Sequence, residues 1–173
     1  MVQHLINEKL ENVIRSVGLK LKDLGFSGRG LILRILKDGN CGILEFQRST
    51  KSSPDSLLFT VNLGIVCGAL LDPPGEQLEK TRIIDAHIRQ RLGVFLPDRP
   101  DKWWEITPLT NPEVLANELS ELILNLAVPY ILGLLSTVAI VSLWESGKCP
   151  GLTDGQRLRF LAHLQKRNGN AAT

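Results

Sequence analysis

The chain has few of the residues that cross-link small proteins or hold metals in them. Its 173 residues include three cysteines and three histidines, and none of these stand in a CxxC, HxxxH or HExxH spacing. A structural zinc site needs about four convergent ligands, and three distant cysteines do not make a disulfide framework. We therefore expect no metal, no cofactor and three free thiols, which favour a reducing, cytoplasmic compartment.

The chain also has little excess charge. It carries 20 Lys and Arg against 18 Asp and Glu, a formal net charge of +2. This balance excludes a protein that is basic throughout and a disordered acidic tail. The N-terminus is charged and amphipathic, so we do not expect a secretory signal. At this length one domain is the default. We predict one domain over residues 1–149, followed by a C-terminal helical extension and a frayed tail over residues 150–173.

One segment is apolar enough to raise the question of a membrane. Residues 122–144 contain no charged side chain, and a membrane span needs about 20 apolar residues. Pro129 lies where it would end one helix and begin the next, and no cluster of Lys or Arg flanks the segment. We therefore predict two successive buried helices that meet at Pro129, and we do not expect the protein to contact a membrane.

Periodicity predicts a two-layer α+β domain. Apolar residues at three- and four-residue steps predict a helix over residues 6–24, and helical signals return after Asn111, at Pro129 and after Thr153. Between them, short apolar runs predict about five antiparallel strands. These strands cover residues 31–37, 40–49, 57–67, 81–92 and 103–107. We expect the sheet to pack on the N-terminal and C-terminal helices through one face.

Alternation along the strands places polar side chains together on the other face. The third and fourth predicted strands contribute Thr60, Asn62, Asp85, His87, Arg89 and Arg91. The first strand adds Arg34, and the second adds either Glu45 with Gln47 or Phe46 with Arg48, because a slip of one residue exchanges the two sets. This surface is either the solvated face of a one-sided sheet or a face that binds an anion or a partner.

Two adjacent tryptophans follow a loop that is rich in proline and aspartate. Neighbouring residues of a strand face opposite ways, so we expect either Trp103 or Trp104 in the core and the other at least partly exposed. An exposed tryptophan near arginine is a common combination in interfaces, and it can also stack on a base or a sugar ring. The alternative is that both tryptophans anchor the sheet edge to the helices.

No enzyme signature is complete. Gly147-Lys148 lacks the glycine five positions earlier that a Walker loop needs, and no GxSxG sequence occurs. His87 beside Asp85 has the arrangement of an oriented base, although no nucleophile stands near it. The C-terminal helix has an apolar side as well as a basic one, so it is weak evidence for nucleic-acid binding. Its basic residues are Arg157, Arg159, Lys166 and Arg167.

Six short sequences follow one another in a recognisable order. They are LGFSGRG at 24–30, EFQRS at 45–49, TVNLG at 60–64, HIRQRLG at 87–93, DKWWE at 101–105 and AVP at 127–129. This ordered series, within roughly residues 10–144, resembles the bacterial family called domain of unknown function 4304. The resemblance implies a soluble bacterial domain and carries over no activity. The family often has a cysteine beside the His87 position, where this chain has Ala86, which argues against cysteine chemistry there.

Together these features favour a non-enzymatic binding module that holds a protein or an anionic ligand on the polar face. The first alternative is an enzyme on an anionic small molecule, in which Arg89 and Arg91 clamp a phosphate or carboxylate and His87 serves as acid and base. The second is nucleic-acid binding through the basic C-terminal helix, which we expect less. The candidate binding residues are Gln47, Arg48, Asn62, His87, Arg89, Arg91, Trp103 and Trp104.

Overall fold

The computed structural model describes residues 1–98 and 101–170, with side chains up to residue 166. Strands run antiparallel in the order β1-β2-β3-β4-β5, and β6 also pairs with β4. They are β1 Ser27–Arg29, β2 Ile32–Lys37, β3 Asn40–Arg48, β4 Leu57–Cys67, β5 Ile88–Arg91 and β6 Trp104–Ile106. The helices are α1 Val2–Leu21, α2 Pro112–Leu122, α3 Val128–Gly133, α4 Thr137–Glu145 and α5 Asp154–Asn170. The predicted α+β class is confirmed.

Helix α1 forms because its apolar residues recur at the helical period and give it one apolar side. The buried residues of that side are Ile6, Leu10, Val13, Ile14, Val17 and Leu21. A 3-10 turn, Lys22–Leu24, prolongs the helix, and Gly25 ends it with a φ of 94°. Glycine suits this left-handed position because it has no Cβ. The helix begins earlier than predicted, at Val2, and the turn that prolongs it ends where the prediction ended.

One face of the sheet carries the main core. The register pairs Leu33 with Leu44 and Leu44 with Leu63, so these three side chains point to the same side. Helices α1, α2 and α3 cover this side, which we call the helix-covered face. Helix α3 lies so close to β3 that a Cβ built at Gly42 would stand 2.3 Å from Ile131 Cγ2. Any side chain at Gly42 would therefore push the helix away.

The prediction that two helices meet at Pro129 is wrong. The helix that begins at Pro112 widens over Ile123–Ala127 into a π-helical turn and continues through Pro129 as α3. Inside a regular α-helix, proline lacks a donor and its ring clashes with the carbonyl four residues earlier. The wider turn removes the need for a donor at Pro129 and moves the carbonyl four residues earlier away from the proline ring. The break falls instead before α4, where the hydroxyl of Ser136 accepts a hydrogen bond from the N–H of Ala139 at 3.1 Å.

The continuous helix Pro112–Gly133 is, among the described residues, the one long and apolar enough to cross a membrane by length and composition alone. The side chain of Asn111 caps its start, as predicted, by accepting hydrogen bonds from two first-turn N–H groups. A core helix passes the same test, and one side of this helix is fully buried in the main core. The residues of that side include Leu119, Ile123, Ala127 and Ile131.

The predicted fourth strand, over residues 81–92, is wrong in its first half. Ile83–Asp85 forms a 3-10 turn, and β5 begins only at Ile88. The carboxylate of Asp85 accepts a hydrogen bond from the N–H of Arg82 at 2.8 Å, which satisfies that backbone group locally and competes with strand pairing. Alternation would have placed Ile84 in the core, yet it is 77% exposed.

The second face of the sheet is also less polar than alternation predicts. Residues 68–87, which we call the covering segment, fold back over its centre. A Cβ built at Gly64 would stand 2.7 Å from Ile83 Cδ1 and 2.9 Å from Ala86 Cβ. The segment encloses a small second core of Cys41, Ile43, Val66, Leu78 and Ala86. The open polar surface is therefore confined to the part of this face beside the covering segment.

The C-terminal helix α5 packs on α4 through aromatic rings. Phe160 stacks on Trp144 with ring centroids 6.0 Å apart. The hydroxyl of Thr153 accepts a hydrogen bond from the N–H of Gln156 at 3.3 Å, which is the N-cap predicted there. The helix runs to Asn170. The last part of the predicted tail, residues 171–173, lies outside the described residues.

Candidate functional site

A cavity of about 470 Å³ opens on the second face, beside the end of the covering segment. We call it the sheet cavity. Its walls come from β3, β4, β5, the covering segment, the turn after β5 and the loop that precedes β6. Residues that are distant in sequence therefore meet there. Four of the eight candidate binding residues line it. The lining residues are Gln47, Asn62, Ile83, Arg89, Gln90, Arg91, Val94 and Asp101.

The strand register brings the polar residues of the sheet cavity together. Asn62 on β4 stands opposite Glu45 on β3 and opposite Arg91 on β5, and directly opposed residues of antiparallel strands share a face. Glu45 and Gln47, rather than Phe46 and Arg48, therefore belong to this face. The amide Nδ2 of Asn62 donates a hydrogen bond to Gln47 Oε1 at 2.8 Å. The oxygen of Asn62 and the amide nitrogen of Gln47 still have hydrogen-bonding capacity.

Arg91, Asp101 and Trp103 form an ordered group at the rim of the sheet cavity. Arg91 forms an ion pair with the carboxylate of Asp101, and the indole Nε1 of Trp103 donates to the other oxygen of that carboxylate at 3.1 Å. The guanidinium of Arg91 also lies over the Trp103 ring, 5.2 Å from its centroid. These hydrogen bonds, from Arg91 first and then from Trp103, hold the pKa of Asp101 below its usual value.

Arg89 is held by the chain that follows α4. Its Nη2 donates to the carbonyl of Gly151 at 2.8 Å, and its backbone N–H donates to the carbonyl of Pro150 at 3.0 Å. Gly151 has a φ of 80°, and a Cβ there would stand 2.7 Å from Arg89 Cβ. The close approach therefore needs glycine at position 151. These contacts fix the direction in which the Arg89 guanidinium enters the sheet cavity.

His87 does not line the sheet cavity. It is 8% exposed, its Nδ1 accepts a hydrogen bond from the N–H of Cys67 at 3.1 Å, and its ring meets Phe160 of α5 edge to face at 5.1 Å. Burial lowers the pKa of His87 to about 4. A neutral imidazole in this position acts as a hydrogen-bond acceptor for the backbone, where β4 ends.

Arg48 and Trp104 lie away from the sheet cavity, while Trp103 reaches it through Arg91. Arg48 points to the helix-covered side, where its Nη1 donates to Asn7 Oδ1 on α1 at 3.1 Å. Trp104 is 4% exposed and stacks on Phe59 in the main core at 6.0 Å. Trp103 is half-buried, so the expectation of one tryptophan in the core and one partly exposed is confirmed.

The sequence analysis missed Ile83, Val94 and Asp101, which line the sheet cavity. Asp101 stands in a proline-punctuated loop that looks like a connection, and only the structure places it on Arg91. Asp101 is the first residue of the DKWWE sequence, which is the one signal that could have drawn attention to it. Within residues 1–98 and 101–170, no group of three or more His, Cys, Asp or Glu side chains is arranged to hold a metal ion.

Fold and site together define a small α+β domain with one antiparallel sheet, helices on one face and a polar cavity on the other. The chain belongs to the family described as Domain of unknown function (DUF4304), whose model matches residues 17–132. This is the family that the ordered series of short sequences resembles, and the matched segment includes every residue of the sheet cavity. No curated protein matches the chain, and no solved structure does.

Proposed function

We propose that this protein binds a small anionic molecule, carrying a carboxylate or a phosphate, in the sheet cavity. The observation that carries the proposal is the convergence of two guanidinium groups, Arg89 and Arg91, with two side-chain amides around one concave space. Its volume of about 470 Å³ lies within the range of about 300–1,000 Å³ that is usual for small-ligand sites. A concave site of this size favours a small molecule over the flat surface of a protein partner.

The charges around the sheet cavity favour an anion. Arg91 is paired with Asp101, whereas Arg89 has no acidic partner among the described residues and bonds only to carbonyl oxygens. Each guanidinium has five donors in a planar fork, and the contacts described above use few of them. The remaining donors match the two oxygens of a carboxylate or phosphate, which arginine binds in bidentate fashion.

Asp101 would compete with such a ligand. Its carboxylate already occupies Arg91, so an incoming anion must share that guanidinium or displace the aspartate. A variant of Asp101 that lacks the negative charge, and keeps one acceptor oxygen for Arg91 or Trp103, should therefore bind the anion more strongly. This effect is specific to an anion, because a neutral ligand would not compete with a carboxylate for Arg91.

An enzyme that uses His87 as acid and base draws less support. The imidazole is covered by Phe160 and its Nδ1 is engaged by the backbone of Cys67, so a molecule in the sheet cavity would not face it. Nucleic-acid binding through the basic C-terminal helix also draws less support, because the guanidinium of Arg157 already bonds to other groups of the protein. Its Nη1 donates to the carbonyl of Trp144 at 2.6 Å and its Nε to Asp154 at 3.2 Å.

The proposal is tested by isothermal titration with inorganic phosphate, succinate and succinamide. Succinate has the same carbon chain as succinamide but carries charge, so we expect succinate to bind and succinamide not to bind. Arg89→Ala and Arg91→Ala should each weaken binding by about tenfold to a hundredfold, which is the usual value of a hydrogen bond to a charged group. Asp101→Asn should strengthen it by up to about fivefold.

Arg159→Ala is the matched control, because Arg159 is exposed on α5 and does not line the sheet cavity. It removes the same charge from the protein and should leave the affinity for succinate or phosphate unchanged. Equal binding of succinate and succinamide would contradict the proposal. So would equal losses in Arg91→Ala and Arg159→Ala, since that result would show attraction by net charge alone.

A further inference from the structure

A second concavity lies at the opposite edge of the sheet, between α1 and the β1–β2 hairpin. Its volume is about 560 Å³, and we call it the edge groove. It shares no lining residue with the sheet cavity. One wall is the part of α1 from Glu11 to Leu19, and the other is the short edge strand β1 with the residues that lead into β2.

The floor of the edge groove is apolar. Ile14, Phe26 and Leu33 line it with parts of the main core, and Leu31 adds a partly buried side chain. Leu19 also lines it, yet this leucine is 67% exposed. An apolar ligand that covered Leu19 and this floor would remove apolar area from water, which favours binding.

The rim of the edge groove is strongly cationic. Its cationic side chains are Arg15, Lys22, Arg29 and Arg48, and its one acid is Glu11. None of these five side chains forms an ion pair with another described residue. Arg15 and Arg48 instead donate to neutral amides, those of Asn12 at 3.3 Å and Asn7 at 3.1 Å. With four cations against one acid, the rim has an excess of positive charge.

We propose that the edge groove binds a free single-chain carboxylate of medium length. Its apolar chain lies over Leu19, Leu31 and Leu33, and its carboxylate meets the guanidinium groups of Arg15 and Arg48. The combination of an apolar floor with a cationic rim is complementary to an amphiphilic anion and to neither of its halves alone. An added peptide strand suits the place less well, because β1 has only three residues and would supply few backbone hydrogen bonds.

The experiment compares decanoate with two probes that each keep one half of it. Decanol has the chain without the charge, and acetate has the charge without the chain. In a variant with Arg89→Ala and Arg91→Ala, which removes both guanidinium groups of the sheet cavity, we expect measurable binding of decanoate alone by isothermal titration. Its affinity should rise about fourfold per methylene from hexanoate to decanoate. In amide NMR spectra, decanoate should shift the signals of Gly18, Gly28 and Gly30, which line the groove.

Variants then separate the two halves of the site. Arg15→Ala and Arg48→Ala should each weaken decanoate binding by about tenfold, and Leu19→Ser should flatten the dependence on chain length. Arg91→Ala is the control, since Arg91 lines only the sheet cavity. Because succinate tests the sheet cavity and decanoate the edge groove, each proposal can fail while the other stands.

Three results would overturn this proposal. Equal affinity for decanoate and decanol would mean that the cationic rim plays no part. No binding of decanoate up to its solubility limit would mean that the groove is not a site for such a chain. Binding to vesicles of anionic phospholipid without binding of monomeric decanoate would assign the cationic rim to a membrane surface instead.

Discussion

The two faces of the sheet are covered in different ways, although the same strands build both. On the helix-covered face, α1, α2 and α3 enclose a continuous apolar core. On the second face, the covering segment encloses a small core and leaves the sheet cavity open beside it. Large apolar side chains fill the first face, while arginines and amides line the open part of the second. We therefore expect substitutions on the two faces to differ in their effect on stability.

The largest expected effect is on the helix-covered face. Phe59 is fully buried between Phe46 and Trp104, whose ring centroids lie 6.3 and 6.0 Å away. Phe59→Ala would leave a cavity in this row, so we expect a loss of about 3–5 kcal/mol in the free energy of unfolding. Chemical denaturation measures it. Phe59→Leu should lower the free energy of unfolding clearly less. Equal losses in the two variants would mean that stability at position 59 does not depend on the packing of the aromatic ring.

The next effect concerns His87, which is buried where β4 ends. Its pKa is about 4 in the folded protein because of burial, against about 6.5 in an unfolded chain. Between these values the unfolded chain binds more protons, so stability is complete above about pH 6.5 and falls as the pH is lowered toward 4. The loss over this window should be about 3 kcal/mol. Denaturation curves at several pH values measure it.

Two variants check that assignment. His87→Gln keeps a hydrogen-bond acceptor without a titrating group, so the slope of stability between pH 4 and 6.5 should flatten. Phe160→Ala uncovers the ring, and NMR titration should then show the pKa of His87 rising toward its ordinary value. If His87→Gln kept the full slope, the pH dependence would have to come from another group.

The smallest effect is expected on the open part of the second face. The ion pair between Arg91 and Asp101 is exposed, with side-chain exposures of 38% and 61%, and such pairs contribute little to stability. Arg91→Ala should therefore change the free energy of unfolding by no more than about 0.5 kcal/mol, while it weakens anion binding. Thermal unfolding checks this, and a large loss would make Arg91 a structural residue and remove the contrast between the two faces.

Much of the sheet could be predicted because its signals are local. Period-two alternation gave β4 its correct bounds, and the Asp38-Gly39 turn has positive φ at both residues, as a two-residue hairpin requires. That turn also fixes the register of β2 against β3, which places Gln47 with Arg34 on the second face. The choice between Gln47 and Arg48 could thus have been made from the hairpin geometry.

The rest depends on contacts between distant parts of the chain. His87 was placed with Arg89 and Arg91 by alternation, but the ring lies outside β5 and is covered by Phe160. The pairing of Asp101 with Arg91 depends on how the loop before β6 returns to the sheet. Pro129 predicts the end of a helix, because the π-helical turn that lets the helix continue through it has no local sequence signal. Local patterns describe strands and turns, and they do not describe what packs over them.

The contact between β5 and the chain after α4 also bears on self-association. The exposed margin of a β-sheet offers unpaired N–H and C=O groups that can recruit another molecule and start aggregation. At β5 one such donor, the N–H of Arg89, is already taken by the carbonyl of Pro150. Proline has no N–H to extend this pairing, so the ladder stops there. At this point the edge of β5 is covered by Pro150, which has no N–H to donate to a further strand.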